Sequence, residues 1–170
     1  MARLRLSENR NPEIDANDLH MMERAIELAR QAGTEGEIPV GAVVYRGSEI
    51  IAEASNNREA TADPTGHAEM VALRLAGEKL GAWRLEGCSM AVTLEPCPMC
   101  AGALVNARLE QVVYGAFDPK AGACCSLFDI PGDRRLNHRV RMIGGVEETR
   151  CAELLRDFFR RRRAEKRRVG

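Results

Sequence analysis

Two short strings, His67-Ala68-Glu69 and Pro96-Cys97-Pro98-Met99-Cys100, constrain this chain more than anything else in it. Cys97 stands where an apolar strand runs out, and Pro98 follows at a first helical position, where its missing N–H would have had no partner. Cys100 comes three residues after Cys97, so both sulfurs project from one side of a helix's first turn. Helix N-termini lower thiol pKa values and so favour the thiolates that bind metals. His67 holds the matching place on another helix, just after Pro64-Thr65-Gly66. If the three donors share one ion, two helix starts must meet beside one sheet edge. Glu69 is too close to His67 in sequence to complete a tetrahedron easily, and is placed to reach a water instead. Three protein ligands plus a spare acid are the inventory of a catalytic zinc site, whereas a structural site closes itself with a fourth ligand.

The remaining elements fit a fold that can hold such a junction. Residues 1–16 are polar and aperiodic, the expected flexible N-terminal tail, and residues 17–170 form the one expected domain. An Asn17 or Asp18 cap opens the first predicted helix, with Leu19, Met22, Ile26 and Ala29 at helical spacing and Gly33 as its stop. Residues 40–45 and 50–54 read as strands joined by a hairpin through the polar residues 46–49. Residues 56–66 read as a loop. A second helix spans 67–80, with Met70, Leu73 and Leu80 among its apolar positions. Residues 90–94 form a short apolar strand, 97–107 a third helix, and 112–114 a fourth strand. The long irregular stretch 116–137 is rich in Gly, Pro, Asp and Cys, and loops of that length are more often functional than idle. Residues 139–143 complete five strands, and a last helix starts at Thr149 or Arg150. This order predicts an α/β protein, a three-layer α/β/α sandwich around a five-stranded mixed β-sheet.

Composition narrows the chemistry. Nothing in the chain is apolar for long enough to span a bilayer, and the N-terminus lacks the apolar run of a signal peptide, so the expected location is cytoplasmic. Without an export signal, the six cysteines are better explained by metal binding at Cys97 and Cys100 than by disulfides. Cys88 and Cys151 read as packing residues. The net charge is zero, yet residues 156–170 carry eight basic side chains against Asp157 and Glu165. On charge alone this end is either a solvated helix or a phosphate-contacting patch, and both readings stand.

The motifs resemble those of the zinc-dependent nucleobase deaminases, and among them the bacterial tRNA adenosine deaminases. The likeness is carried by residues 63–69 (Asp-Pro-Thr-Gly-His-Ala-Glu) and 93–103 (Thr-Leu-Glu-Pro-Cys-Pro-Met-Cys-Ala-Gly-Ala). Residues 113–120, 137–140 and 157–160 extend it, so that it runs from about Leu19 to the C-terminus. The resemblance implies a cytidine deaminase-like fold and the hydrolytic deamination of adenosine to inosine at the wobble position of a tRNA anticodon. It implies one zinc ion per subunit, held by His67, Cys97 and Cys100, with Glu69 as the proton-transferring catalytic residue. It further implies that Asn56 hydrogen-bonds the target nucleotide and that Val40 and Leu94 line the base pocket. Asp118 and Lys120 would contact the nucleic acid, and Phe158 with the arginines after it would hold the anticodon stem-loop. A homodimer is implied as well.

Two departures from the pattern stand out. Gly66 occupies a position where the family commonly has alanine, and Cys124-Cys125 fill a loop position usually taken by small residues. Those cysteines read as tolerated small side chains, or, if they faced the metal, as ligands closing its open position. Two rival functions remain on the sequence: a deaminase of free cytosine, guanine or a related small molecule, and a non-catalytic zinc-containing RNA-binding module. The basic end argues against the first, and the unligated Glu69 against the second.

Overall fold

The computed structural model describes residues 14–169, so most of the predicted N-terminal tail lies outside the described residues. The elements follow in the order α1 (Ala16–Thr34), β1 (Gly41–Arg46), β2 (Glu49–Ser55), α2 (Arg58–Thr61), α3 (Ala68–Leu80), β3 (Ser89–Leu94), α4 (Pro98–Asn106), β4 (Gln111–Ala116), β5 (Arg141–Gly144) and α5 (Glu148–Val169). The strands form one sheet in the order β2-β1-β3-β4-β5. β1 runs antiparallel to both β2 and β3, while β3, β4 and β5 are parallel. This is the predicted five-stranded mixed sheet.

A sheet with parallel strands needs both faces covered, and period-two alternation supplies two apolar faces here. On one face Ala42, Val44, Met90, Val92, Val112 and Tyr114 pack with Ala68, Ala72 and Ala76 of α3 and Ala101, Leu104 and Val105 of α4. On the other, Val43, Tyr45, Ala91, Val113 and Ile143 meet Met21, Met22, Ala25 and Ile26 of α1 and Cys151 of α5. The result is three layers, with β3 in the middle.

Local chemistry moved several predicted boundaries. α1 starts earlier than predicted: Asp15 is its N-cap, and Asp18 occupies the reciprocal place in a capping box. Asp18 is also buried, accepting from Tyr45 Oη at 2.5 Å and from Gln111 Nε2 at 3.1 Å. That network ties α1 to the sheet and turns the buried stripe so that Leu19 is 43% exposed. The helix passes Gly33 and ends at Thr34, with Glu35 as its C-cap and the positive φ falling on Gly36. The segment predicted as plain loop before His67 contains the single-turn α2. Asn57 caps it without a side-chain bond, and the buried Glu37 accepts from the Ala60 N–H at 2.8 Å. A cap supplied from twenty residues away leaves no local signature. On α3 the inward face is made by alanines, while Met70, Leu73 and Leu80 are only half-buried. Small side chains let this helix lie close to the sheet.

No helix among the described residues is long and apolar enough to cross a membrane.

Candidate active site

The topology brings one end of four strands together. β2 and β3 point the same way because each is antiparallel to β1, so the exits of β2, β3 and β4 and the entry to β1 share one sheet edge. Ligand sites of open α/β sheets lie outside these carboxyl ends. Here β2 leads through α2 to His67, the N-cap of α3, and β3 leads to Cys97, the N-cap of α4, with Pro98 at the first helical position. His67 Nδ1 lies 3.6 Å from Cys97 Sγ and 3.5 Å from Cys100 Sγ. The three donor atoms fall within 4.8 Å of one another. Tetrahedral zinc with ordinary Zn–N and Zn–S bonds separates N from S by about 3.6 Å, so this spacing fits such an ion. The two predicted helix starts do converge, and their donors can hold a metal ion.

The electrostatics agree. The Cys100 thiol, aided by His67, holds the Cys97 thiol down at about 4, while Cys97 and burial push Cys100 up. Without metal the pair therefore shares one thiolate and one thiol. Cys97 also holds the His67 imidazole above its usual value. Cys124 and Cys125 are not part of the ligand group. Cys124 is buried in the α3–α4 core with its Sγ 3.9 Å from the Pro96 carbonyl, and Cys125 is exposed. They do not close the open position.

Glu69 sits in the first turn of α3, 4% exposed, against His67 and Cys100. Burial raises its carboxyl, the direction needed by a group that must both take and give a proton near neutral pH. It is not a member of the ligand trio.

The other candidates occupy the same edge. Asn56 follows β2, is buried, and accepts from the Ala68 N–H at 3.0 Å, which ties it to the His67–Glu69 turn. No described residue accepts from its Nδ2. Val40 is buried just before β1, and its carbonyl accepts from the Asn56 N–H at 3.1 Å. A Cβ on Gly66 would fall 2.4 Å from Asn57 Oδ1, so this glycine and the inward Asn57 side chain go together.

Leu94, three residues before Cys97, lines a groove with Ile38, Phe117, Asp118, Lys120, Phe159 and Arg160. Asp118 Oδ1 accepts from the N–H groups of Lys120 (2.9 Å) and Ala121 (3.2 Å), folding the loop on itself, and Lys120 is exposed. Phe158 is instead 4% exposed, with the Arg162 guanidinium 5.6 Å from its ring centre. Of this pair, Phe159 is the one that faces the groove. The two differ only by one step around the helix, and nothing local reveals which one points inward.

Sequence reasoning passed over Glu95, which directly follows β3 and is 2% exposed. Its Oε1 accepts from the N–H groups of Cys124 (3.2 Å), Cys125 (2.8 Å) and Ser126 (2.8 Å). Its Oε2 accepts from the Asp118 N–H (3.0 Å) and the Ser126 hydroxyl. Burial alone would raise this carboxyl, but these donors, Ser126 foremost, hold it below the usual carboxylate range. The available signal was a charged residue directly after an otherwise apolar strand.

Comparison with known proteins agrees with this geometry. The family model described as MafB19-like deaminase matches residues 16–163. The tRNA-specific adenosine deaminase of Bacillus subtilis is 47% identical over 150 residues, covering 88% of this chain and 92% of that one. A solved structure from biochemical and structural studies of A-to-I editing by tRNA:A34 deaminases at the wobble position superposes with a TM-score of 0.77. It is 41% identical, covering 80% of this chain and 99% of that one. The guanine deaminase of Bacillus subtilis superposes with a TM-score of 0.57, at 40% identity, over 61% of this chain and 66% of its own. A family model that runs from the start of α1 into the basic end of α5, and near-full-length identity to a Bacillus enzyme, make this chain a member of the tRNA-specific adenosine deaminases.

Proposed function

We propose that this protein hydrolyses the C6 amino group of adenosine at the wobble position of a tRNA anticodon, leaving inosine and ammonia. The observation that carries this reading is the buried Glu69 beside a three-donor metal group and outside it. In the proposal His67, Cys97 and Cys100 hold one zinc ion, which supplies a Lewis acid able to lower the pKa of water from about 15.7 toward about 7. Glu69 takes one proton from the attacking water and gives it to ring N1, then carries the remaining hydroxyl proton to the departing amine. The C6–O bond forms, the C6–N bond breaks, and ammonia leaves.

The remaining residues bind. With Oδ1 committed to Ala68, Asn56 has Nδ2 to donate to the nucleotide. Val40 and Leu94 offer apolar walls for a base flipped out of the loop. Lys120 and the face of α5 bearing Phe159, Arg160 and Arg163 supply a stacking surface and cations along the groove, with Asp118 shaping it and Phe158 anchoring the helix beneath.

The direct test incubates the protein with an anticodon stem-loop bearing a wobble adenosine, then sequences the RNA, where inosine reads as guanosine. Release of ammonia from free guanine or cytosine with the stem-loop untouched would overturn the substrate assignment. Replacing Arg160 and Arg163 together by alanine should weaken stem-loop binding. It should also flatten the dependence of log K on log salt by about 0.7 per lost phosphate contact. An unchanged slope returns these arginines to the solvated-face reading.

A homodimer is part of the proposal. Met70, Leu73 and Trp83 form an apolar surface with Ala103 and Ala107, and Trp83, the one tryptophan, is 66% exposed. Large exposed apolar patches mark interaction sites. The chain should sediment as a dimer, with Trp83 fluorescence shifting to the red on dilution. A Leu73→Glu variant should sediment as a monomer.

A further inference from the structure

Glu95 has no cationic partner among the described residues, yet it is almost wholly buried. An ionised carboxylate in that position is costly unless its lone pairs are filled. All its side-chain acceptor bonds run to one segment, the loop between β4 and β5. Converging N–H groups of this kind form an anion-holding nest, here closed around a side chain of the same protein. The surrounding backbone reinforces the contact: the Glu95 N–H donates to the Ala116 carbonyl, and the Ala123 N–H to the Pro96 carbonyl, each at 2.8 Å. The fit leaves no slack, since a Cβ on Gly122 would come within 2.4 Å of the Glu95 carboxylate and 2.6 Å of the Asp118 carbonyl.

The position of Glu95 gives this contact its meaning. It lies two residues before the metal donor Cys97 and directly after Leu94, while the loop it gathers carries Asp118 and Lys120 into the groove. We propose that Glu95 is a positioning residue for substrate recognition: its buried carboxylate fixes the Asp118–Lys120 loop at a set distance from the Cys97–Cys100 turn, so that groove and metal donors form one rigid site. This rests on the deaminase reading above. Glu95 touches neither substrate nor metal in this role. Its effect is preorganisation, the holding of binding groups in place before substrate arrives.

The two oxygens make the proposal sharp. In Glu95→Gln the amide oxygen can keep the three N–H donors at Oε1, and the Ser126 hydroxyl can rotate to accept from the new NH2. Only the Asp118 N–H then loses its acceptor, facing another donor. The expected result, by NMR hydrogen exchange on the zinc-loaded protein, is faster exchange at Asp118, with Cys125 and Ser126 still protected. Zinc content should be unchanged. For the anticodon stem-loop, Kd and KM should rise about tenfold or more, the loss expected for a charge-assisted hydrogen bond, while kcat moves less than about threefold. Gly122→Ala, which crowds the same carboxylate from the loop side, should give the same split between KM and kcat.

Unchanged Kd and KM in the glutamine variant would overturn the proposal. So would a fall in kcat accompanied by zinc loss, since Glu95 would then act through the metal donors. A wild-type protein that binds the stem-loop without deaminating it would fail the deaminase reading instead. In that event Kd and the Asp118 amide still decide the role of Glu95.

Discussion

Glu69→Ala is expected to abolish deamination while the metal stays bound. Positioned acid–base groups contribute up to about 10⁴-fold to a rate, and Glu69 is asked to move every proton in the reaction. A loss of about 10⁴ in kcat corresponds to roughly 5.5 kcal/mol of barrier. The metal should remain because Glu69 is not one of the three donors that come within 4.8 Å of one another. Glu69→Gln keeps the volume of a side chain that is 4% exposed, so it separates lost proton transfer from lost packing. Single-turnover inosine formation alongside zinc analysis makes the measurement. Activity within tenfold of wild type in either variant would remove Glu69 from the proton path, whereas loss of zinc with activity would make it a ligand.

Cys100→Ser should instead remove metal and activity together. Structural zinc sites bind with apparent free energies of about 10–16 kcal/mol, so one thiolate of four ligands accounts for roughly 3 kcal/mol, a factor of 100 or more in affinity. The pH dependence follows from the metal-free site. Cys97, held at about 4, is already a thiolate at neutral pH and has no proton to release. Cys100 is pushed up, so binding at pH 7 must expel its proton. His67 is raised above its ordinary value, so it is protonated below that raised range and competes with the metal there. Affinity should therefore fall as pH falls, and zinc added at pH 7 in weak buffer should release about one proton or more per ion. Competition titrations at pH 8 and 6 check this. An affinity independent of pH, or full zinc retention in Cys100→Ser, would contradict the donor set.

Much of the scaffold was legible because its signals are local. Apolar strands bounded by polar turns, a proline after Cys97 and histidine and cysteine at helix starts are each readable within a few residues. Those signals placed the five strands and the two junctions that form the metal group. Where prediction missed, the missing information was a distant partner. Asp15 displaced the expected caps because Asp18 was drawn into the Tyr45–Gln111 network. The single turn of α2 depends on Glu37, more than twenty residues earlier. Alanines supply the fully buried positions of α3, with Leu73 packed at the margin of the core, because that helix lies close against β1 and β2.

The site divides along the same line. By itself the sequence determined the chemistry: which atoms can bind a metal, which acid is left over, and that the C-terminal helix is cationic. These follow from residue type and short spacing, which fix donor identity and the side of a helix turn. Only the tertiary structure decided that His67 and Cys97 stand within bonding range of one ion, that Cys124 and Cys125 face elsewhere, and that Phe159 rather than Phe158 opens to the groove. It alone revealed that Glu95 gathers the loop carrying Asp118 and Lys120. Each of these depends on strand order and on the rotation of a helix about its axis, which are set by packing across the whole sheet rather than by any neighbouring residue.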